Sequence, residues 1–459
     1  MVANSTTDIV NALVAKGVLT EEEGALLNKG REGEAAGQAK AMKKASKLSV
    51  SDAVDNAKIY GDIRARYERR SIDQLSNGAS YETNRSRYKF TLGAETKSGD
   101  WYSDIAFAAS SNGRSDNVTF GDGGLTTSST GGDMGMSPKD KGAVYIKRAM
   151  VGWNATPWLS VEAGRMKNPL YMVNSMVFDH DIVMEGAQEK LNYKLGDTNL
   201  FANLGQWIYT GGGIQSTNGT VTSGRQNMIL AFQAGAQQAF NDRTSAKAAI
   251  GYYDYTSNNK GSAAYKPFAS NLSGTVVQAD FTAANGTNDL AILDVLGEAN
   301  YMVTSNIGVR PYAEYAYNTL GSDRYNSACN AYHGTYCTAG NDDSAWLVGI
   351  TVGSAKDLKS FESKKMVQGD WSANLWYQSV GTYALDPNAV DTDIFDGRVN
   401  MEGTTLKAQY NVQDNVALNF TGAWGDRKNN AYGTTWTKAD LAINGGKFEL
   451  FQFDVTYKF

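Results

Sequence analysis

The sequence predicts an all-β chain that folds into a closed antiparallel transmembrane β-barrel of about 16 strands. Three observations predict this fold class. Segments in which apolar and polar residues alternate recur along most of the chain. No stretch contains the roughly 18–20 consecutive apolar residues that a membrane-spanning helix requires. Short and long connections alternate between the segments, as expected for a barrel with tight turns at one end and long loops at the other.

The composition agrees with many strands joined by turns. Among 459 residues there are 48 Gly, 25 Tyr and 9 Trp but only 6 Pro. Aromatic residues favour strands and Gly favours turns, whereas Pro interrupts a strand ladder. With a mean hydropathy of −0.41, the chain would enter a membrane as a closed barrel, which satisfies every backbone group in lipid. The net charge of −5 argues against nucleic acid as the main partner.

Residues 1–50 have a different pattern from the rest of the chain. Apolar residues recur at helical spacing over 9–14. The run from Thr20 to Glu23 has the form of a capping box before an apolar stretch, which predicts a second short helix. We therefore predict a short helical N-terminal segment and tether over 1–50 and a barrel domain over 51–459. A disordered leader is the alternative for the first segment.

The first alternating segment indicates a water-filled interior. From Lys58 onward, residues such as Ile63 and Tyr67 fall on one face, and Arg64 and Arg66 fall on the other. A soluble core and lipid would both reject the charged face, but an aqueous lumen would accept it. The strands predicted from this alternation span residues 58–69, 85–96, 101–111, 143–155, 159–166, 187–195, 198–208, 225–239, 244–255, 289–302, 307–318, 344–355, 368–383, 401–412, 416–427 and 447–459.

The connections between these segments give an independent indication of a barrel. Short connections lie at 156–158, 196–197, 241–243, 304–306 and 413–415. Long polar connections lie near 112–142, 209–224, 256–288, 319–343 and 428–446. The number of strands is even, so both ends of the chain fall on the side of the short turns.

The last segment is predicted to close the barrel against the first one, near residues 59–67. Its apolar face consists of Phe451, Phe453, Val455, Tyr457 and Phe459. Chain ends are normally frayed and polar. A terminal Phe preceded by apolar residues at every second position resembles the C-terminal assembly signal of bacterial outer-membrane β-barrels. The resemblance implies that Tyr457 and Phe459 are recognised by the barrel-assembly machinery during insertion.

The connection over 167–186 differs from the other long connections. It contains Leu, Tyr, Val, Met and Phe together with three acidic residues. A solvated loop rarely holds so many large apolar residues, so part of it should pack against protein. In a wide barrel the available surface is the inner wall, and we therefore predict that this third loop folds inward. An ordinary packed external loop is the alternative.

Motifs around this loop resemble a known family. Trp158, Gly-Arg-Met-Lys-Asn-Pro at 164–169, Phe-Asp-His-Asp at 178–181 and Glu-Gly at 185–186 are similar to the putative porins of Gram-negative outer membranes, distant relatives of phosphate-selective porins. Residues 13–21 resemble the periplasmic leader of that family. The resemblance implies a 16-stranded porin, usually trimeric, with a periplasmic N-terminal segment. It also implies that the third loop narrows the channel, with Asp179, Asp181 and Glu185 at the constriction.

The alternation places charges of both signs on the inward face of the strands. The predicted pore-lining basic residues are Arg64, Arg66, Arg87, Lys89, Arg148 and Lys190. Inward acidic residues include Asp62, Glu68, Asp104, Glu162, Glu298, Glu314 and Asp454. Loop acids opposite a basic wall would set a transverse field that favours small polar solutes. In the alternative interpretation these charges only pair with one another and keep the lumen wet.

We therefore predict a porin that lets ions and small hydrophilic solutes diffuse passively across the outer membrane. A phosphate-selective pore would need a continuous basic ladder, and the mixed lumen departs from that pattern. Two alternatives stay open, namely a substrate-selective channel of the anion or phosphate type and a surface barrel that serves adhesion or structure. The expected partners are outer-membrane lipid, the solutes, the assembly machinery and two further copies of the chain.

The sequence predicts neither a cofactor nor an enzyme. Cys329 and Cys337 lack haem or zinc spacing. In an oxidising compartment they are expected to form a disulfide, with two free thiols as the alternative. His180 lies between Asp179 and Asp181, but no partner serine or further metal ligand follows from spacing. We predict no catalytic site and no metal site.

Overall fold

A computed structural model gives the conformation of most of the chain. The residues that it describes are 14, 16, 20, 22, 23, 54, 56–73, 80–110, 116–120, 143–210, 214–217, 220–223, 227–256, 290–332, 340–354, 367–386, 389–391, 393–395, 399–428 and 447–459. Contacts group the chain into two compact units, one made of Met1–Lys58 with Thr96–Gly99 and the other of Ile59–Glu95 with Asp100–Phe459. The barrel interior described below belongs to the second unit.

The described residues form a series of strands and one helix of more than a single turn, α1 (Gly321–Tyr332). The strands are β1 (Asn56–Asp73), β2 (Tyr81–Ser98), β3 (Trp101–Ser110), β4 (Val118–Thr119), β5 (Ala143–Thr156), β6 (Leu159–Lys167), β7 (Val183–Leu195), β8 (Thr198–Thr210), β9 (Ile214–Thr217), β10 (Thr220–Ser223), β11 (Asn227–Asn241), β12 (Thr244–Tyr255), β13 (Ala291–Met302), β14 (Ile307–Asn318), β15 (Ser344–Ser354), β16 (Trp371–Val380), β17 (Met401–Gln413), β18 (Val416–Arg427) and β19 (Lys447–Lys458).

Sixteen of these strands form a closed antiparallel barrel, which confirms the predicted fold class. The other three are short: β4 pairs with β2, and β9 pairs with β10 in a separate ribbon. Neighbouring barrel strands follow one another along the chain, so that β8, for example, pairs with β7 on one side and with β11 on the other. β1 pairs with both β2 and β19. A sheet that returns to its first strand has no exposed edge.

The C-terminal residue completes the closing ladder. β1 lies antiparallel to β19, with Asp62 opposite Lys458. Beyond this pair, the backbone N–H of Gly61 donates to the carbonyl of Phe459 at 3.0 Å, and the N–H of Phe459 donates to the carbonyl of Gly61 at 3.0 Å. A Cβ atom at Gly61 would lie 2.5 Å from the ring of Phe459. The predicted pairing of the last strand with the first is therefore confirmed, and it needs glycine at position 61.

The two faces of the strands differ as the alternation predicts. On β1, Ile63 and Tyr67 point outward and are 46% and 49% exposed. Arg66 and Glu68 point inward and are 5% and 2% exposed. The outward surface is thus apolar and unburied, whereas the inward surface is polar and covered. Such an inverted arrangement suits a barrel that faces lipid outside and a polar lumen inside.

Three connections differ from the prediction. The strand predicted over 368–383 is shorter, because β16 ends at Val380 and the chain then turns into the barrel interior. The connection predicted over 319–343 contains α1. In the connection predicted over 112–142, Asp116 and Asn117 are buried and the following residues form β4, which pairs with β2. In each case contacts to distant strands, which alternation does not reveal, determine the path of the connection.

In the N-terminal unit the structure describes only a few residues before β1. The backbone N–H of Glu23 donates to Oγ1 of Thr20 at 3.2 Å, and the N–H of Thr20 donates to Oε2 of Glu23 at 2.9 Å. These reciprocal bonds form the predicted capping box. The remainder of the predicted helical segment lies outside the described residues. Over the part of the chain that is described, no helix is long and apolar enough to span a membrane.

Candidate pore constriction

The third loop, residues 168–182 between β6 and β7, starts from a pair of glycines. Gly164 of β6 lies opposite Gly186 of β7, and both have positive φ angles, 118° and 141°. A Cβ atom would lie 2.3 Å from the carbonyl oxygen of Ala149 at the first position and 2.2 Å from that of Gln206 at the second. Only glycine fits these conformations without strain. The two glycines let β6 and β7 pack closely between β5 and β8 where the loop leaves the wall.

Apolar side chains anchor the third loop inside the barrel. Val173, Met176, Val177 and Phe178 are each no more than 5% exposed. The ring of Phe178 packs edge-on against that of Tyr253 on β12, with centroids 5.1 Å apart. The third loop therefore packs against the inner wall of the barrel through these apolar residues.

Hydrogen bonds to side chains of the wall reinforce this anchor. The N–H of Tyr171 donates to Oε1 of Gln233 at 2.7 Å, and Nε2 of Gln233 donates to the carbonyl of Tyr171 at 2.9 Å. Nδ2 of Asn174 donates to the hydroxyl of Tyr312 at 3.3 Å. We call the inward faces of β8, β11, β12, β14 and β16 the aromatic wall. Its buried ring side chains are Phe201, Trp207, Tyr253, Tyr255, Tyr312 and Trp376.

The acidic end of the third loop faces the opposite side of the lumen. Nζ of Lys89 on β2 donates to Oδ1 of Asp181 at 2.9 Å, and Nζ of Lys147 on β5 lies 3.5 Å from the same oxygen. The N–H of Asp181 donates to Oδ1 of Asp179 at 2.9 Å. The loop therefore spans the lumen, with apolar contacts at one end and ion pairs at the other.

A second segment also enters the lumen, and the sequence reasoning missed it. Residues 381–400 connect β16 with β17, and Tyr383, Ala384 and Leu385 are fully buried. The two inward segments touch where the N–H of Asp179 donates to the carbonyl of Ala389 at 2.7 Å. A signal was present in the sequence. Like the third loop, this connection combines large apolar residues with closely spaced acids at Asp391 and Asp393.

Asp393 brings the second segment onto the arginines of β1. Its carboxylate lies 3.2 Å from Nη1 of Arg66 and 3.8 Å from Nη2 of Arg64. Arg66 also donates to Asp454 of β19 through Nε at 2.7 Å and Nη2 at 2.9 Å. Arg64 donates to Oδ1 of Asn117 at 2.6 Å. Two predicted pore-lining arginines are thus ion-paired with acids of a strand and of an inward segment.

We call the inward faces of β1, β2, β3 and β5 the charged wall. On this wall Nε of Arg148 donates to Oδ2 of Asp104 at 2.7 Å. Arg87 lies 3.6 Å from Oε2 of Glu68. Of the basic residues predicted to line the lumen, Lys190 lies outside this wall, on β7, where it pairs with Glu162.

Two further charged residues of this region, Lys147 and Asp116, escaped the sequence reasoning. Lys147 and Arg148 are adjacent, yet both are nearly buried inside the barrel. A register shift beside Ala106 explains this, because a bulge turns two consecutive side chains toward the same face. Lys147 pairs with Asp116, a buried residue just before β4. Strict alternation would place Lys147 on the lipid side, so no local signal predicts its position.

Two acids of the inward segments are disposed to take up a proton near neutral pH. Burial, together with the nearby carboxylates of Asp391 and Asp181, raises the pKa of Asp179 to about 7. Burial also raises the pKa of Asp391 to about 6, although Lys407 opposes the rise and Asp393 adds to it. These two acids therefore change charge in a range where most carboxyl groups are already ionised.

Two further acids of the segments, Asp181 and Asp393, remain ionised. Burial disfavours the charged form of Asp181, but Lys89 and Lys147 outweigh it and hold the pKa of this carboxyl well below its usual range. Burial is likewise outweighed at Asp393, where Arg66 is the largest favourable contributor and the pKa is lowered. Each inward segment thus places one ionised acid against the charged wall, two residues away from an acid that titrates.

A cavity of about 620 Å³ adjoins both inward segments. Asp181 and Asp393 line it from the segments, and Arg64 and Lys89 line it from the charged wall. Further lining residues, such as Asp62 and Lys458, lie near the strand ends that join the short turns. The cavity therefore occupies the short-turn half of the lumen and ends at the two segments.

Glu185 does not join Asp179 and Asp181 in the lumen, which corrects the expectation that it lies at the constriction. It belongs to β7, where Met184 and Gln188 point inward and are buried. Glu185 lies on the opposite, outward face, pairs with Arg165 and is 53% exposed. The strand begins earlier than the predicted start at 187, so alternation within β7 and not the loop decides its direction.

The other predicted residues lie on the outward face, in the third loop or outside the described residues. Tyr457 and Phe459 point outward and are 43% and 49% exposed. The side chain of Cys329 and the whole of Cys337 lie outside the described residues, so their predicted disulfide stays a prediction. Nδ1 of His180 contacts Oγ of Ser175, a partner that spacing did not suggest. Over the described residues, no cluster of three or more potential metal ligands occurs.

Comparisons with known proteins bear on the family. Residues 84–293 match the model of a protein family described as putative porin. The outer membrane channel DcaP of Acinetobacter baumannii is similar to this chain, with 15% sequence identity, a TM-score of 0.40, and coverage of 89% of this chain and 99% of that chain. At that TM-score the likeness supports no argument about function. A search of curated proteins found no match. The match to the family model thus confirms the resemblance to putative porins over residues 84–293.

Proposed function

We propose that the chain is an outer-membrane porin through which ions and small hydrophilic solutes diffuse passively. The observation that carries this proposal is the inverted barrel, apolar outside and charged inside, with a cavity that ends at two inward segments. An apolar exterior suits lipid, and a lumen lined by ionised groups stays hydrated. The family match over residues 84–293 supports the same function.

The constriction in this proposal is formed by two segments and not by the third loop alone. Asp181 of the third loop and Asp393 of the 381–400 segment both contact cations of the charged wall. Positive and negative charges lie side by side there, so a solute would meet a strong local field with little net charge. Such a constriction favours small polar solutes of either sign and disfavours apolar ones. We therefore propose weak ion selectivity.

A phosphate-selective channel is less well supported. That function needs a ladder of basic residues with few acids between them. Here the basic residues of the charged wall are closely paired, for instance Arg66 with Asp454 and Arg148 with Asp104. A paired cation attracts an anionic solute less strongly, because its field is already neutralised at short range.

The assembly of the protein is part of the same proposal. We place the N-terminal segment in the periplasm, with the short turns, and expect three copies to associate in the outer membrane, as the family resemblance implies. We also expect no enzymatic activity.

Planar-bilayer recordings test the proposed function. Purified protein should produce stepwise current increases, and a salt gradient should give a reversal potential well short of that for an ideally selective pore. A silent barrel would instead support a role in adhesion or structure. Ideal selectivity for one sign would contradict weak selectivity but leave the channel intact.

Deletion of Phe459 tests the assembly signal. The deletion removes the two backbone hydrogen bonds with Gly61 and the outward terminal ring. We expect most of the truncated chain to remain outside the membrane fraction, whereas Phe453→Ala, which removes another outward ring of β19, should insert nearly normally. Normal insertion of the truncated chain would show that Phe459 is no assembly signal.

A further inference from the structure

The outward face of β6, β7 and β8 carries polar side chains within an otherwise apolar surface. Arg165 of β6 forms an ion pair with Glu185 of β7. On the same face, Nε2 of Gln206 on β8 donates to Oε2 of Glu189 on β7 at 3.1 Å. We call these four residues the outer polar cluster. It points away from the lumen, so the channel does not account for it.

Along β5 and β6 the cluster lies inside the apolar band. Ala149 of β5 is opposite Arg165. On the side of Ala149 that leads to the long loops, the outward face of β5 carries Ile146, which is 55% exposed. Toward the short turns lies Trp153, which is 42% exposed. Arg165 is therefore flanked on the outward face by apolar residues of β5 in both directions.

The same holds along β7 and β8. Glu189 is the seventh of the 13 residues of β7, and the outward Tyr193 lies between it and the short turn. Gln206 lies between Leu204 and Ile208 on the outward face of β8, opposite Ala187 of β7. By contrast, the outward acid Glu402 is the second residue of its strand, close to a long loop. Glu189 is thus further from the end of its strand than Glu402 is.

Hydrocarbon solvates such a cluster poorly. The cost of a charged side chain on the lipid face of a barrel is greatest at the middle of the membrane and falls toward its surfaces. Pairing reduces the cost but does not remove it here, because the side chains of Arg165 and Glu185 are still 33% and 53% exposed. Charged groups at membrane depth generally face protein or water and not lipid.

Several alanines lie on the outward face beside the cluster. Ala163 of β6 lies opposite Ala187 of β7, and Ala202 of β8 lies opposite Leu191. Small outward residues allow another protein surface to approach the sheet closely, much as they do between helices in membranes. The outward face of β15 differs, since Trp346, Val348 and Ile350 are 40%, 53% and 41% exposed.

We propose that the outer polar cluster is the surface through which the chain binds a second copy of itself in the membrane. The cluster contains one cation and two carboxylates, so it is complementary to another copy: Arg165 of one protomer pairs with a carboxylate of the next. An anionic lipid headgroup is a poorer occupant, because the two carboxylates repel it. The proposal rests on the proposed assembly of several barrels and adds the contact face.

Cysteine cross-linking tests the contact face directly. In a Cys329→Ser, Cys337→Ser background, Ala187→Cys introduces a thiol beside the cluster and Val348→Cys introduces one on β15. A short bis-maleimide applied to the membrane-embedded protein should join two copies at position 187 and not at position 348. Cross-linking at 348 without cross-linking at 187 would overturn the proposal, as would a membrane-extracted protein whose mass is that of a monomer.

A second measurement separates this proposal from the porin function. Arg165→Leu should lower the temperature at which the detergent-resistant oligomer dissociates, and single-channel conductance should stay unchanged because the residue is outside the lumen. Val348→Ala is the control and should change neither property. An unchanged dissociation temperature in Arg165→Leu would contradict the proposal. So would oligomers that form only when anionic lipid is added to phosphatidylcholine vesicles, since the cluster would then bind a headgroup. A channel-silent protein that still cross-links at 187 would refute only the porin function.

Discussion

The charged wall and the aromatic wall enclose the same lumen, but they bind the third loop through different interactions. On the aromatic wall, Phe178 of the third loop packs against Tyr253, and both rings are nearly inaccessible. On the charged wall, the same loop makes ion pairs from Asp181 to Lys89 and Lys147. Apolar burial is insensitive to charge and pH, whereas ion pairs depend on both.

Because of this difference, one wall sets the position of the third loop and the other sets the electric field in the lumen. The aromatic wall determines where the third loop lies, because buried apolar area contributes most of the stabilisation. The charged wall determines the field that a solute meets, because Arg64, Arg66 and Lys89 line the cavity together with the segment acids. A change on the first wall should therefore alter the width of the pore, and a change on the second should alter its selectivity.

The largest effect is expected from Phe178→Ala. Removal of a buried Phe typically costs about 3–5 kcal/mol, and this ring anchors the loop to Tyr253. The loop should detach from the aromatic wall and single-channel conductance should rise, with increased cleavage of the loop by added protease. Phe232→Ala, a change to an outward ring that is 50% exposed, is the matched control. If conductance and cleavage stay as in the parent, the ring is no anchor.

A large change in selectivity is expected from the triple variant Arg64→Ala, Arg66→Ala, Arg87→Ala. It removes three cations and leaves Asp393, Asp454 and Glu68 without them, so the reversal potential should shift several-fold toward cations. Arg69→Ala, on the outward face of the same strand, is the control and should behave like the parent. A parent-like reversal potential in the triple variant would mean that ions do not pass along the charged wall.

A smaller shift of opposite sign is expected from Asp181→Asn. This change leaves Lys89 and Lys147 without one partner carboxylate, although Asp116 still pairs with both. The remaining acid limits the gain in anion preference. Reversal potentials measured beside those of Asp426→Asn, an acid near a long loop, give the comparison. A shift toward cations would contradict the assigned geometry.

The smallest effect is a dependence of conductance on pH. The pKa values of Asp179 and Asp391 are raised, to about 7 and about 6, from the ordinary value of 3.8. For acids with a raised pKa, the packed state gains stability from protonation that is complete below the ordinary value and is lost as pH rises through the raised one. The two inward segments should thus hold together most firmly in acid.

We therefore expect lower conductance at about pH 5 than at about pH 8, the range that brackets the two raised pKa values. Asp391→Asn cannot ionise and should flatten the dependence, whereas Asp342→Asn, on the connection before β15, should not. Higher conductance in acid, or an unchanged dependence in Asp391→Asn, would show that these carboxyl groups do not hold the segments together.

Much of the barrel could be predicted because strand alternation is a local property. Ile63 and Arg66 point to opposite sides of β1 as their spacing requires, and the closing pair of β1 and β19 follows from the terminal pattern. The inward path of the third loop was also predictable, since Phe178 and its apolar neighbours needed a partner. Asp391 and Asp393 gave a similar signal, closely spaced acids among large apolar residues, in a connection whose first residues belong to the strand predicted over 368–383.

Other features had no local signal. Lys147 points inward only because a bulge beside Ala106 breaks the alternation. Asp116 reaches Lys147 from a connection whose composition is that of an external loop. Glu185 points outward because β7 starts at Val183, four residues before the predicted start at 187, so Glu185 belongs to the strand and not to the loop. Each depends on which strand lies beside which, and the sequence of one strand does not contain that information.

The sequence by itself determined the fold class, the closing strand and the apolar exterior, because the period of two and the parity of the connections are written residue by residue. Only the tertiary structure decided which charges meet in the lumen. The pairing of Arg66 with Asp454 joins residues 388 positions apart, and that of Asp393 with Arg66 joins an inward segment to the first strand. Such contacts arise when the sheet closes, since closure places the last strand beside the first, where the inward 381–400 segment reaches them.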